Sequence, residues 1–138
     1  PSEEWIVLSR HEWTNLLPRG DVRSGMAWDL DPKVAAKLLK HFYPPTENTD
    51  SENNRIDEQS LTAAVESFED GVARARIEGR LKMKHPFYHK DDSNFVETRL
   101  VGFVDFEPTK PRIRSLRVIT DQATYNRQDF GVAVRSVP

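Results

Sequence analysis

The chain alternates most cleanly between residues 72 and 83. Ala73, Ala75 and Ile77 share one parity, continued by Leu81 and Met83 beyond Gly79, while Arg74, Arg76, Glu78, Arg80 and Lys82 take the other. A period of two with one apolar and one charged set marks a strand in a sheet with one dry and one wet face. The run Leu61–Phe68 precedes it across Glu69-Asp70-Gly71, a turn sequence, so the two read as a hairpin. Two registers compete. A two-residue Asp70-Gly71 turn sets Val65 against Arg76 and mixes the faces. A three-residue loop with Gly71 left-handed sets Val65 against Ala75, Ala63 against Ile77 and Glu66 against Arg74. A one-residue slip turns a whole strand over, so the pattern predicts the three-residue loop.

A second pair of strands runs from Phe95 to Phe106 and from Arg112 to Thr120, joined by Glu107-Pro-Thr-Lys-Pro111. Both of its faces carry apolar side chains, Leu100 and Val104 on one and Val101 and Phe103 on the other. The pair is therefore covered on both sides or bent by a bulge, for which Gly102 and Gly79 are suited. A last strand covers Phe130–Arg135.

The one helical pattern lies over 31–43. Asp31 is an N-cap, Pro32 fits the first helical position, and Ala35, Leu38, Leu39 and Phe42 recur at helical spacing. Lys33, Lys37, Lys40 and His41 fill the opposite side, and Pro44-Pro45 ends the helix. Upstream, Trp5–Leu8 reads as a short strand. Residues 10–30, broken by Pro18, Gly20 and Gly25, read as an irregular cover over the core. Residues 46–60 are polar and acidic and read as a loop. The expectation is thus one domain over 1–138 of the α+β class. It has an irregular N-terminal strand and cover (1–30), one helix (31–43), a polar loop (46–60) and an antiparallel sheet (61–136). That sheet has five to six strands and is strongly bent, either open or partly closed into a barrel, and packs on the helix.

Composition narrows the chemistry. At 138 residues the chain can bury a core without disulfide or metal staples, and with no cysteine it has no thiol nucleophile or Cys-ligated metal site. No apolar run approaches the ~20 residues of a membrane-spanning helix. The start, Pro1-Ser2-Glu3-Glu4, is unlike an export signal. A net charge of -2 gives no overall attraction to nucleic acid, and none is expected as a partner. Arg74, Arg76, Arg80 and Lys82, with Arg99 and Arg112, form a basic stripe, but Glu66, Glu78, Glu97 and Asp105 interleave with it as on a solvated charged face.

His85, His89, Asp91 and Asp92 fall within eight positions and are the candidate metal ligands. Pro86 prevents a helix from presenting both imidazoles, and Lys84 and Lys90 repel a cation, so no metal and no cofactor are expected. Asp31 of the Asp29/Asp31 pair already serves as a cap, and His11 and His41 stand singly. There is no Gly-x-Ser-x-Gly, no phosphate-binding glycine loop and no His-Glu-x-x-His.

The segments Leu61–Gly79, Val101-Gly-Phe-Val-Asp-Phe106, Ser115–Thr120 and Phe130–Arg135 together resemble β-rich domains in exported proteins of planctomycete-type bacteria. The resemblance implies an extracytoplasmic location and no particular activity. The leading expectation is a non-catalytic binding or interaction module whose partner is a protein or a small molecule. The alternatives are a metal-dependent hydrolase built on the His85/His89 loop and a carrier with an apolar pocket between helix and sheet.

Overall fold

A computed structural model describes residues 3–45, 50–86 and 94–138. Among these residues, seven strands form one sheet: β1 (Ala27–Asp29), β2 (Arg55–Glu69), β3 (Val72–Lys84), β4 (Phe95–Glu107), β5 (Arg112–Tyr125), β6 (Gln128–Phe130) and β7 (Ala133–Arg135). The spatial order is β1-β2-β3-β4-β5-β6, with β7 also on β5, and every pairing is antiparallel. The sheet is open, with β1 at one end and β6 at the other, and does not close into a barrel. Two helices accompany it, α1 (Arg10–Asn15) and α2 (Pro32–Leu39), so the α+β class holds with one helix more than expected.

The β2–β3 hairpin resolves the register question in an unexpected way. Val65 faces Ala75 and Ala63 faces Ile77, as the apolar pattern requires. The turn, however, has only two residues, with Asp70 at φ 53° and Gly71 at φ 78° between the Glu69–Val72 pair. A two-residue turn with both residues left-handed matches the twist of the strands it joins. The displaced register is recovered by a bulge, because Val65 and Ser67 pair with consecutive residues Ala75 and Arg74 and leave Glu66 over. Glu66 therefore does not face Arg74; Ser67 does. The β5–β6 turn repeats the device, with Asn126 at φ 51° and Arg127 at φ 65°.

Gly79 and Gly102 are not bulges, since pairing runs unbroken through both. They mark close backbone approach instead. A Cβ on Gly79 would lie 1.9 Å from the Ser60 carbonyl oxygen, and one on Gly102 would lie 2.0 Å from that of Arg117.

α2 starts as its sequence dictates, with Asp31 Oδ1 accepting from the amides of Lys33 (2.8 Å) and Val34 (3.2 Å) and Pro32 at the first helical position. It ends at Leu39, short of residue 43. The amides of His41 and Phe42 reach back only three residues, to the carbonyls of Leu38 and Leu39, so the last turn tightens before Pro44-Pro45. Val34, Ala35, Leu38, Leu39 and Phe42 are buried in one apolar cluster with Ala63, Val65, Ala75 and Ile77.

The N-terminal region departs from expectation. Trp5–Leu8 is not a strand, and Trp5 and Val7 are 74% and 78% exposed. Its alternation sends only Ile6 and Leu8 toward the core, and among the described residues no strand pairs with it. Within 10–30 the segment is not wholly irregular. A reciprocal cap opens α1, with the Glu12 amide donating to Ser9 Oγ (3.1 Å) and the Ser9 amide donating to Glu12 Oε1 (2.9 Å). β1 then adds to β2. The Trp28 indole N–H donates to the Leu16 carbonyl (3.0 Å), and its ring meets Phe106 edge to face at 5.8 Å.

Within 46–60, strand β2 already begins at Arg55; the polar sequence there belongs to exposed strand, and residues 46–49 lie outside the described residues. β5 continues past Thr120 to Tyr125, and the expected strand at 130–135 is split at Gly131-Val132 into the ends of β6 and β7.

Candidate binding face

His85, the described member of the proposed metal set, is fully buried just beyond β3. Its Nδ1 lies 2.7 Å from Asn54 Oδ1, a carbonyl that can only accept, so this nitrogen carries the proton. Asn54 in turn donates to the Lys40 carbonyl (2.7 Å). The imidazole stacks on Tyr43 at 4.4 Å, Tyr125 closes on its edge at 5.5 Å, and the Tyr125 hydroxyl donates to the His85 carbonyl (2.9 Å). The ring thus ties the segment after α2 to the start of β2 and the ends of β3 and β5. Its sequence neighbours gave no sign of this burial. Among the described residues no three His, Asp or Glu side chains converge as metal ligands. His89, Asp91 and Asp92 lie outside the described residues.

A second polar group anchors the N-terminal segment. The Tyr43 hydroxyl donates to Glu4 Oε1 and His41 Nδ1 meets Glu4 Oε2, each at 2.6 Å. Partial burial pushes the Glu4 carboxyl up, but the bonds from Tyr43 and His41, with the charges of His41 and His85, outweigh it and hold the group below its ordinary value of 4.5. Burial, then the bond to Glu4, push the Tyr43 hydroxyl up, so it remains a donor.

A carboxyl depressed on folding adds stability that is present above its unfolded value and is lost as pH falls through the folded one. Glu4→Gln should therefore melt below the parent at about pH 6, and the difference should be smaller at about pH 3. An equal difference at both values would show that the carboxylate charge is irrelevant to this anchor.

The outward side of the sheet carries the basic stripe. Parity placed Arg74, Arg76, Arg80 and Lys82 on this side of β3 and Arg99 on β4, and they are there. Arg74 is bidentate with Asp105 (2.8 and 3.0 Å), a cross-strand partner, and lies 5.2 Å from the Phe103 ring. Arg76 pairs with Glu78 at 3.0 Å, and Arg112, at the start of β5, reaches Glu107 at 3.8 Å. Much of the stripe is therefore the charged, solvated surface that its interleaved acids implied.

Register adds what parity could not. It aligns Arg76 of β3, Phe103 of β4, Arg117 of β5 and Arg135 of β7 in one row across the sheet. The next row holds Glu78, Val101, Ile119 and Ala133. Phe103 and Ile119 are 37% and 39% exposed. Among the described residues, Arg117 and Arg135 enter none of the ion pairs. Neither was legible as part of a site, because their alignment depends on three successive pairings.

Among the described residues no helix is long and apolar enough to cross a membrane. Compared with models of protein families, with curated proteins and with solved structures, the chain shows no match.

Proposed function

We propose that the chain is a non-catalytic binding module whose outward sheet face takes an acidic segment of a protein partner, one that also presents an apolar side chain. The observation that carries this reading is the register row Arg76–Phe103–Arg117–Arg135 beside Val101 and Ile119. Neighbouring strands are spaced about 4.8 Å apart, so the row sets cations at short intervals around a half-exposed aromatic ring. Arginine and aromatic side chains together are the usual anchors of protein interfaces. Arg117 and Arg135 complement a carboxylate-rich chain. A single ring is too few for the serial stacking that holds single-stranded nucleic acid.

Selection of displayed random peptides on the folded chain tests the reading. Enriched sequences should combine Asp or Glu with an aromatic or aliphatic residue. Their binding should weaken at least about tenfold in Phe103→Ser and in Arg117→Glu, the loss expected at an anchor position. Peptides without acidic character, or binding indifferent to both substitutions, would overturn it, as would preferential binding of single-stranded oligonucleotides at physiological ionic strength.

A further inference from the structure

Two register rows from Phe103, the sheet places Arg80 of β3 directly opposite Arg99 of β4. Directly opposed residues in an antiparallel pair have Cα atoms only about 4.5–5.5 Å apart, and like charges in that position repel. Neither arginine enters an ion pair among the described residues, whereas Arg74, Arg76 and Arg112 all do. Both line a surface groove of about 630 Å³ with Lys82, Gln122, Glu58 and Glu97. The two carboxylates lie in the row of Lys82, flanking it on β2 and β4, and leave the arginine pair as the cationic end. Asp121 stands opposite Arg99 on β5 but does not line the groove.

The backbone supplies an independent observation. Among the described residues, four non-glycine residues have positive φ, and three of them, Asp70, Asn126 and Arg127, sit in two-residue hairpin turns. The fourth is Gln122, at φ 59° within β5. It lies where pairing slips, between Glu97–Thr124 and Arg99–Asp121. A left-handed backbone is strained for glutamine, and no turn requires it here. Strain and bulges of this kind gather where a side chain must be aimed. Here the bulge lies at the wall of the groove that the arginines line.

We infer that this groove is an oxyanion site, in which a phosphate-sized dianion sits between the guanidinium groups of Arg80 and Arg99. Each guanidinium presents a planar fork of N–H donors that fits two oxygens of a tetrahedral anion. The anion also removes the repulsion between the two cations. The ligand is a free phosphate or the phosphoryl group of a small monoester. This site stands apart from the Phe103 row, and neither depends on the other.

Titration of the intact chain with inorganic phosphate, sulfate and phenyl phosphate, followed by backbone amide NMR at constant ionic strength, tests the inference. Saturable shifts should centre on Arg80, Arg99 and Gln122, and chloride should not reproduce them. Arg80→Gln and Arg99→Gln should each weaken binding about tenfold or more, as for loss of a charge-assisted bidentate contact, while Lys33→Gln should not. Both variants should melt at or above the parent temperature, because each relieves a like-charge contact. Phenyl phosphate binding at least as tightly as phosphate assigns a monoester, and binding of inorganic phosphate alone assigns the free ion. Non-saturating shifts, shifts shared with chloride, undiminished binding in Arg99→Gln, or a clear fall in melting temperature in both variants would overturn the site.

Discussion

Leu39→Ala is expected to destabilise the chain by about 2–5 kcal/mol, the range for emptying a fully buried leucine position. Leu39 has no exposed surface and joins the cluster formed by Ala63, Val65, Ala75 and Ile77. α2 has only eight residues, too short to persist alone in water, so its helical state depends on that burial. A typical domain is stable by about 5–15 kcal/mol, which makes this loss a large share of the total. Lys33→Ala, on the exposed side of the same helix, should change stability by no more than about 0.5 kcal/mol. Denaturant titration of the two variants decides the matter. Equal, small effects would mean that α2 is peripheral and that the sheet gains its cover elsewhere.

The second large effect is expected from a single methyl group. In Gly102→Ala the new Cβ would be 2.0 Å from the Arg117 carbonyl oxygen and 3.0 Å from the Val118 Cα, both backbone atoms. No rotamer change relieves such a contact, so β5 must move away from β4. The cost should lie at the upper end of the overpacking range, about 3 kcal/mol. Amide exchange should accelerate along the β4–β5 ladder in particular. Gly25→Ala is the informative comparison, because Gly25 has φ 80° and nothing within 4 Å of a new Cβ. Its cost is conformational alone, about 1–2 kcal/mol for a left-handed L-residue. If Gly102→Ala melted with the parent, the close approach of the two strands would be wrong.

Legibility in the sequence followed physical cause. The central strands were readable because one dry face imposes a period of two, and the same constraint gave the correct facing of Val65 and Ala75. The turn differs from the three-residue loop that the pattern predicts, because that loop is required only if the ladder is uninterrupted, and the ladder shifts between Val65 and Ser67. A bulge lets the chain keep both the favoured turn and the apolar register. The polar start of β2 carried no apolar signal, yet β3 alternates as far as Met83, and a hairpin arm of that length needs an equally long partner. Arm length was thus the available evidence for strand at 55–60. Ser9-x-x-Glu12 is a local signal for α1, masked by the prolines and glycines that follow. The binding face was half readable. Parity gave its arginines on β3 and β4, but Arg117 and Arg135 join the row only through pairings that no local pattern specifies.

The sheet also sets how the folded chain behaves in company. Its four long strands are consecutive neighbours, and the strands beyond them, β1, β6 and β7, have three residues each. An edge that short offers an incoming chain few unpaired amides to template on. The longest stretch of β2 without a strand on its outer side among the described residues, 55–61, carries Arg55, Asp57 and Glu58. Charges on an exposed edge oppose ribbon-to-ribbon addition, since a second copy would have to desolvate them. Concentrated solutions of the folded protein should therefore resist growth into fibrils. The vulnerable species is the one that has lost β1, which uncovers Thr62, Ala63 and Ala64 on the apolar half of the same strand.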